Sequence, residues 1–269
     1  MTSRGSEHDE HDEHDEHDEH DRGGAAPDPE AAPPRAPGAA EVVFGERLPL
    51  AERFVQCLAT TGVTHGLIGP REVPRLWGRH VLNCAVVAEL VPCGAAIIDV
   101  GSGAGLPGLA LAIVCPTSEV HLVEPRRRAT DWLTATADAV GLDNVVVHHA
   151  RAQDVVGTVV APVATARAVT RIGQLAQWCA PLTSAGGTLL ALKGASAATE
   201  LDEDAAVLRS AHVVDHEILR CGLEVLETPT TVVRLHLADD HQPGIAVVPE
   251  GSGPRRGRAG KGRRRPSRS

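Results

Sequence analysis

The chain has 269 residues, 42% of them hydrophobic and 2% aromatic, with a net charge of −9. No apolar run approaches the roughly 18 residues of a membrane span, and the N-terminus carries acids where an export signal needs a basic and then an apolar stretch, so neither membrane insertion nor export is expected. Two Phe, three Trp and no Tyr argue against RNA modules that stack bases on aromatic platforms.

Residues 7–21 are five Glu-His-Asp triplets holding ten acids, no base and five of the 14 histidines. They read as a mobile acidic tail, with weak divalent-metal binding through His and carboxylates as the alternative. A Pro/Ala-rich linker follows, up to residue 41. At the other end, residues 251–269 hold eight Lys/Arg and no acid. With −10 in the first block and +8 in the last, the remainder carries −7. Neither tail has the apolar residues to bury a core. One domain is therefore expected over residues 42–240, between a disordered tail and linker at 1–41 and a disordered basic tail at 241–269.

Within the domain, residues 51–61 form a candidate helix ending at Gly62, with Phe54, Val55 and Leu58 on one face. Residues 71–90 read as one or two helices, with Pro74 in the first turn of the main one. Strands are then expected at 95–100, 119–125, 144–150, 162–168 and 186–194. Helices alternate with them, after Gly105 and at 126–142, 171–182 and 197–209. Two final strands, 212–219 and 231–238, have no helix between them. Alternation implies an α/β fold with a Rossmann-like, mainly parallel sheet covered on both faces. The last pair implies an antiparallel hairpin at one edge. Cys57, Cys84, Cys93, Cys115, Cys179 and Cys221 are scattered without a C-x-x-C, so they read as small hydrophobes, and no metal site is expected.

The informative segment is DVGSGAGLPG (99–108). From Gly103 it satisfies the dinucleotide pattern G-x-G-x-x-G, with Glu124 placed 21 residues on to bind a ribose diol. Pro107 weakens that reading, because a pyrophosphate needs open N–H groups at the helix start. The other register, from Asp99 through Gly101 and Gly103 to Gly105, lets the backbone pass close to a ligand without a phosphate. S-adenosylmethionine (AdoMet) fits it, with the methionine end over the turn and the ribose hydroxyls at Glu124. A plain tight turn is the bland alternative.

Six segments in order, RHVLNC (79–84), DVGSGAGLPG (99–108), LVEP (122–125), ARAQDV (150–155), TARAV (165–169) and ALKG (191–194), make residues 51–238 resemble the bacterial 16S ribosomal RNA guanine-N7 methyltransferase family (RsmG, also called glucose-inhibited division protein B). The resemblance implies a class I AdoMet-dependent methyltransferase fold: a mainly parallel sheet, an antiparallel edge strand and N-terminal helices. It also implies cofactor contacts at Gly101, Leu106, Ala152, Gln153 and Arg167. Family members often have Glu where Gln153 stands and an acid near Pro162. Their aromatic Asn-Leu-Thr segment is replaced here by THGLIG (64–69), so contacts from that segment do not transfer.

Methyl transfer to guanine N7 needs no general base, because N7 carries a lone pair and no hydrogen, so no catalytic dyad is expected. Candidate substrate residues are Arg79, His80, Arg167 and Lys193, which can donate to guanine O6 or to phosphate. Their alternatives are a packed helix histidine for His80, a surface ion pair for Arg167 and a solvated strand-end residue for Lys193. Arg126, Arg127 and Arg128 could touch RNA or form a solvated turn. The expected protein is a monomeric cytoplasmic rRNA methyltransferase. Its partner would be 16S ribosomal RNA or the small ribosomal subunit, with the basic tail adding sequence-independent affinity for RNA. Two alternatives stand beside this: the same fold with another nucleobase or small-molecule substrate, and a non-catalytic RNA-binding assembly protein.

Overall fold

The computed structural model describes residues 33–167 and 170–244. Seven strands form one sheet: β1 (Ile97–Val100), β2 (Val120–Glu124), β3 (Val145–His149), β4 (Ala161–Arg167), β5 (Thr183–Leu192), β6 (Val213–Cys221) and β7 (Thr230–Leu237). Their order is β3-β2-β1-β4-β5-β7-β6. The first five run parallel, and β7 is antiparallel to both β5 and β6. Ile97–Val100 is buried at every position, Asp99 included, as suits a parallel strand covered on both faces. Pro162 lacks an N–H and sits at the register shift between Ala161 and Val163, where the ladder needs no donor.

The pleat divides the core. Ile97, Val120 and Leu122 face one cluster, together with Phe54, Leu58, Leu76 and Leu109 from the N-terminal helices and the helix after β1. Ile98, Val100 and Val123 face the other, with Ile172, Leu175, Leu201 and Leu208. The first layer is built by α1 (Gly38–Phe44), α2 (Leu48–Cys57), α3 (Leu82–Ala85), α4 (Gly108–Val114) and α5 (Arg127–Val140). The second is built by α6 (Ile172–Cys179), α7 (Ala197–Glu203) and α8 (Ala205–Ser210). Helix α5 ends where Gly141, at φ 84, donates its N–H to Ala137 O, the left-handed stop that glycine allows.

Three expectations are corrected. The domain does not begin at residue 42, because α1 starts at Gly38 within the Pro/Ala segment. Ala40 and Phe44, four residues apart, are buried on one helical face, and Phe44 packs edge-to-face on Trp77 with ring centroids 6.3 Å apart. The Trp77 indole donates to Pro34 O at 2.9 Å, fixing the chain further upstream. At the other end, structure continues past residue 240: buried His241 donates from Nε2 to Ala180 O at 2.8 Å, and Gly244 N–H donates to Pro181 O at 2.8 Å. The segment 71–90 is not a regular helix. Wide π-type turns at Leu76–Val81 lie between tighter 3-10 turns at Pro70–Arg75 and Val86–Leu90, with α3 in between. Pro74 lies inside the first tight turn. The acidic repeat and the basic segment 251–269 lie outside the described residues. Among the described residues no helix is long and apolar enough to cross a membrane.

Candidate active site

Between β1 and β4 the strand order reverses direction, and the crevice beyond the carboxyl ends of such strands is where open α/β sheets bind ligands. A cavity of about 890 Å³ lies there, within the 300–1,000 Å³ of small-molecule sites. The turn after β1 forms its floor, with Gly101, Ser102, Gly103, Ala104 and Leu106 in the lining.

This turn is held from within. Gly101, Gly103 and Gly105 have φ of 74, 54 and 73, where other residues are strained. The amides of Gly101 and Ser102 donate to Val123 O, and those of Gly105 and Leu106 to Ser102 O. Gly108 N–H, at the head of α4, donates to Asp99 Oδ2 at 3.0 Å. A phosphate cradle needs such N–H groups open, so the dinucleotide register finds no support. The glycines also differ in role. A Cβ on Gly105 would overlap Leu109, and one on Gly108 would overlap Leu122 and Asp99. A Cβ on Gly103 would meet nothing closer than 3.8 Å. Gly105 and Gly108 are therefore packing glycines, and Gly103 alone of the three has room for a Cβ at ordinary contact distance. Asp99 is wholly buried, and its Oδ1 finds no partner among the described residues. Burial pushes its carboxyl up to about 7.

Glu124, buried at the end of β2, forms the next wall. Its Oε2 accepts Gly103 N–H at 3.0 Å, and its Oε1 accepts Arg126 N–H at 3.0 Å and Arg126 Nε at 2.9 Å. A carboxylate offers about four acceptor sites. Three are taken, which leaves one for a ligand hydroxyl. Ala152 and Gln153 reach the cavity from the 3-10 turn Ala152–Val155 after β3.

The third wall joins β4 to the irregular segment 70–81. Arg167, at the end of β4, donates from Nη2 to His80 Nδ1 at 2.6 Å and from Nη1 to Cys84 Sγ at 3.1 Å. His80 Nε2 lies 2.7 Å from Glu72 Oε2. A guanidinium only donates, so Nδ1 is the acceptor and the His80 proton sits on Nε2, donated to Glu72. Burial lowers the pKa of His80, Glu72 opposes this, and the Arg167 charge adds to it. The hydrogen bond from His80 holds Glu72 below the usual carboxylate range.

Of the residues expected from the sequence, Gly101, Gly103, Leu106, Glu124, Ala152, Gln153, Arg167 and His80 are brought together around this cavity. Gly105 shapes the turn without lining it. Arg79 stands outside, 61% exposed, with Nη1 3.9 Å from Glu72 Oε1. Lys193 is not brought to the cavity. Its ammonium, 12% exposed, is held by Glu200 Oε2 at 2.7 Å and Thr170 O at 2.6 Å, tying β5 to α7. Of the three consecutive arginines only Arg126 lines the cavity, whereas Arg127 pairs with Asp131 and Arg128 donates to Thr64 O. Leu67, Ile68 and Trp178 were not anticipated. The first two come from the segment that departs from the family pattern. Trp178 sits on a helix whose spacing reads only as core. No group of three or more metal-ligating side chains occurs among the described residues.

The donor set fits AdoMet. A wide cavity has room at Gly103 and a partly free carboxylate beside it, and the amides of Gly101, Ser102, Gly103, Gly105 and Leu106 are already taken by internal hydrogen bonds. The family model for rRNA small subunit methyltransferase G matches residues 47–228. A ribosomal RNA small subunit methyltransferase G of Paenarthrobacter aurescens is 51% identical over 197 residues, 73% of this chain and 91% of that protein. One of Thermobifida fusca is 46% identical over 229 residues, 84% of this chain and 96% of that protein. With the match spanning both the glycine turn and the Arg167 wall, the chain belongs to the rRNA small subunit methyltransferase G family.

Proposed function

We propose that the protein transfers a methyl group from AdoMet to N7 of a guanosine in 16S ribosomal RNA. The observation that carries this reading is the glycine turn, with all its amides but that of Ala104 taken by internal hydrogen bonds and with room at Gly103 beside Glu124. The names of the relatives support the RNA substrate.

AdoMet supplies an electrophilic methyl on a sulfonium. The chain supplies position. Gly103 gives the ligand room, the remaining acceptor site of Glu124 takes a ribose hydroxyl, and the Gln153 amide suits a nucleobase edge. Arg167 offers fixed donors at the far wall. Guanine N7 brings its own lone pair, so no side chain removes a proton, and catalysis is alignment of three atoms in the cavity. Arg126, 63% exposed at the mouth, and Arg79 are the cations placed to meet RNA phosphate or guanine O6. The basic segment 251–269 adds salt-sensitive RNA affinity. The protein acts as a cytoplasmic monomer without a membrane partner.

The test is transfer of labelled methyl from AdoMet to purified 16S rRNA or small ribosomal subunits, with large-subunit rRNA as control. Label confined to 16S rRNA is expected. Label on small molecules alone would transfer the fold to another substrate.

A further inference from the structure

The methyltransferase reading gives Glu72 no role, yet its carboxylate closes a chain of hydrogen bonds that ends at the cavity wall. Glu72 Oε2 holds His80 Nε2 at 2.7 Å, and His80 Nδ1 holds Arg167 Nη2 at 2.6 Å. We propose that Glu72 and His80 are positioning residues, a tautomer lock that fixes the Arg167 guanidinium in the ligand cavity. The inference rests on the AdoMet reading of that cavity.

The chemistry is one-directional. Arg167 can only donate, so it requires an unprotonated Nδ1. Neutral imidazole carries its proton on either nitrogen. The Arg167 donor at Nδ1 and an acceptor at Nε2 both favour the form with Nδ1 free, and Glu72 is that acceptor. Protonating His80 would place Nδ1–H against a guanidinium N–H at hydrogen-bond distance, so two donors and two positive charges would oppose one another. Arg167 would then keep only its longer hydrogen bonds, to His80 O at 3.4 Å and Cys84 Sγ at 3.1 Å. The charged groups acting on His80 are Glu72 from the first tight turn, Arg79 from its own segment and Arg167 from β4. The two arginines and burial favour the neutral ring, and Glu72 favours the charged one. Arg75 and Arg79 lie 3.5 and 3.9 Å from the other Glu72 oxygen and draw it away from a second role. Among the described residues the Arg167 Nε–H has no acceptor, so a donor is left for the ligand.

The lock makes AdoMet affinity depend on His80 ionisation, although the reaction needs no base. The experiment pairs two readouts on the full-length protein. Nitrogen-15 NMR of labelled histidine follows the His80 tautomer and titration, and calorimetry follows AdoMet affinity from pH 5.5 to 8.5. The expected result is a proton on Nε2 at neutral pH, and an AdoMet affinity that falls about tenfold or more as His80 becomes charged, the scale of one lost charge-assisted hydrogen bond. Glu72→Gln keeps an acceptor but removes the charge that favours the imidazolium, so the acid limb moves to lower pH. Glu72→Ala leaves Arg167 alone to hold the tautomer and weakens AdoMet at every pH. His80→Asn restores an acceptor toward Arg167 that does not titrate, and its affinity becomes flat with pH. A purely structural role for Glu72 would lower thermal stability in both Glu72 variants and leave the acid limb where it is, and that outcome overturns the lock. So would a proton on Nδ1, or AdoMet affinity that ignores the His80 titration. Absence of AdoMet binding at pH 8 in the unaltered protein would instead remove the cofactor reading itself.

Discussion

Glu124 Oε2 accepts the N–H of Gly103 at 3.0 Å, so the carboxylate at the end of β2 holds the middle of the turn that follows β1. The same side chain therefore shapes the ligand floor and stands ready as a ligand acceptor. Glu124→Ala should weaken AdoMet by about 1.5–3 kcal/mol, the scale of hydrogen bonds to a charged group. It should also lower the melting temperature, because Gly103 and Arg126 lose their acceptor. Calorimetry and thermal melting check this together, and a stability loss with unchanged affinity would leave Glu124 as a scaffold residue only.

Two glycines five residues apart should fail in opposite ways. Gly103→Val places a branched side chain where the floor is open, so AdoMet binding should be abolished. The fold should lose only about 1–2 kcal/mol, for a side chain held in the left-handed region. Gly108→Ala would instead drive a Cβ into Leu122 and Asp99. It should destabilise by about 1–3 kcal/mol, the usual scale of overpacking. Denaturant unfolding beside AdoMet titration separates the two, and equal binding and stability losses in both variants would contradict the division of roles.

Much of the fold was legible in the sequence, for physical reasons. Apolar runs bounded by Gly or acids marked β1, β2 and β5, alternation with helices marked β3 and β4, and the missing helix between the last two strands marked the antiparallel edge. The glycine turn announced the floor because an acid, the turn, a helix and a second strand-end acid stand in order, while Pro107 weighs against the dinucleotide pattern. Lys193 misled, since a cation at a strand end gives no sign that Glu200, seven residues on, will take it up. Glu72 was invisible because its partner lies across an irregular turn that no helical period describes. Pro34 and Ala40 were hidden by composition: Pro and Ala suggest a linker until Trp77 and Phe44 are seen to hold them.

Lys193→Ala should leave AdoMet affinity unchanged and cost about 1.5–3 kcal/mol of stability. Burial alone would raise the Glu200 pKa, but its hydrogen bonds to Lys193, Ser196 and the Ile172 amide bring it below the usual carboxylate range. A depressed carboxylate contributes stability at neutral pH and loses it as pH falls through the folded-state value. The gap between the two proteins should therefore close on acidification, as unfolding curves at pH 7 and pH 3 will show. A specific loss of RNA or AdoMet binding would return Lys193 to the site.

Asp99 behaves in the opposite sense. Its folded-state pKa is raised to about 7 by burial, so the stability tied to its neutral form is present at low pH and is lost as pH rises toward 7. Asp99→Asn cannot ionise. Measured by denaturant at pH 5 and pH 8, the variant should gain on the unaltered protein at the higher pH. A constant difference between the two would mean that Asp99 ionises without penalty.

Deleting residues 251–269 removes eight Lys/Arg. Affinity for 16S rRNA at low salt should fall, and each phosphate that the segment no longer neutralises should reduce the salt slope by about 0.7–0.9. The segment has no aromatic residue, so it cannot stack bases, and the methylated position should not move. Binding titrations at several salt concentrations decide this, and an identical slope would leave the segment a solubility role.

The atom that receives the methyl group separates the proposed reaction from every other use of this fold. Small ribosomal subunits or 16S rRNA without the modification, incubated with AdoMet and the purified protein, can be digested to nucleosides and read by mass spectrometry, and the modified position can be mapped by cleavage selective for N7-methylguanosine. The expected product is N7-methylguanosine at one position of 16S rRNA, absent with Gly103→Val. A methyl group on another atom or base, or none despite tight AdoMet binding, would contradict the proposed reaction.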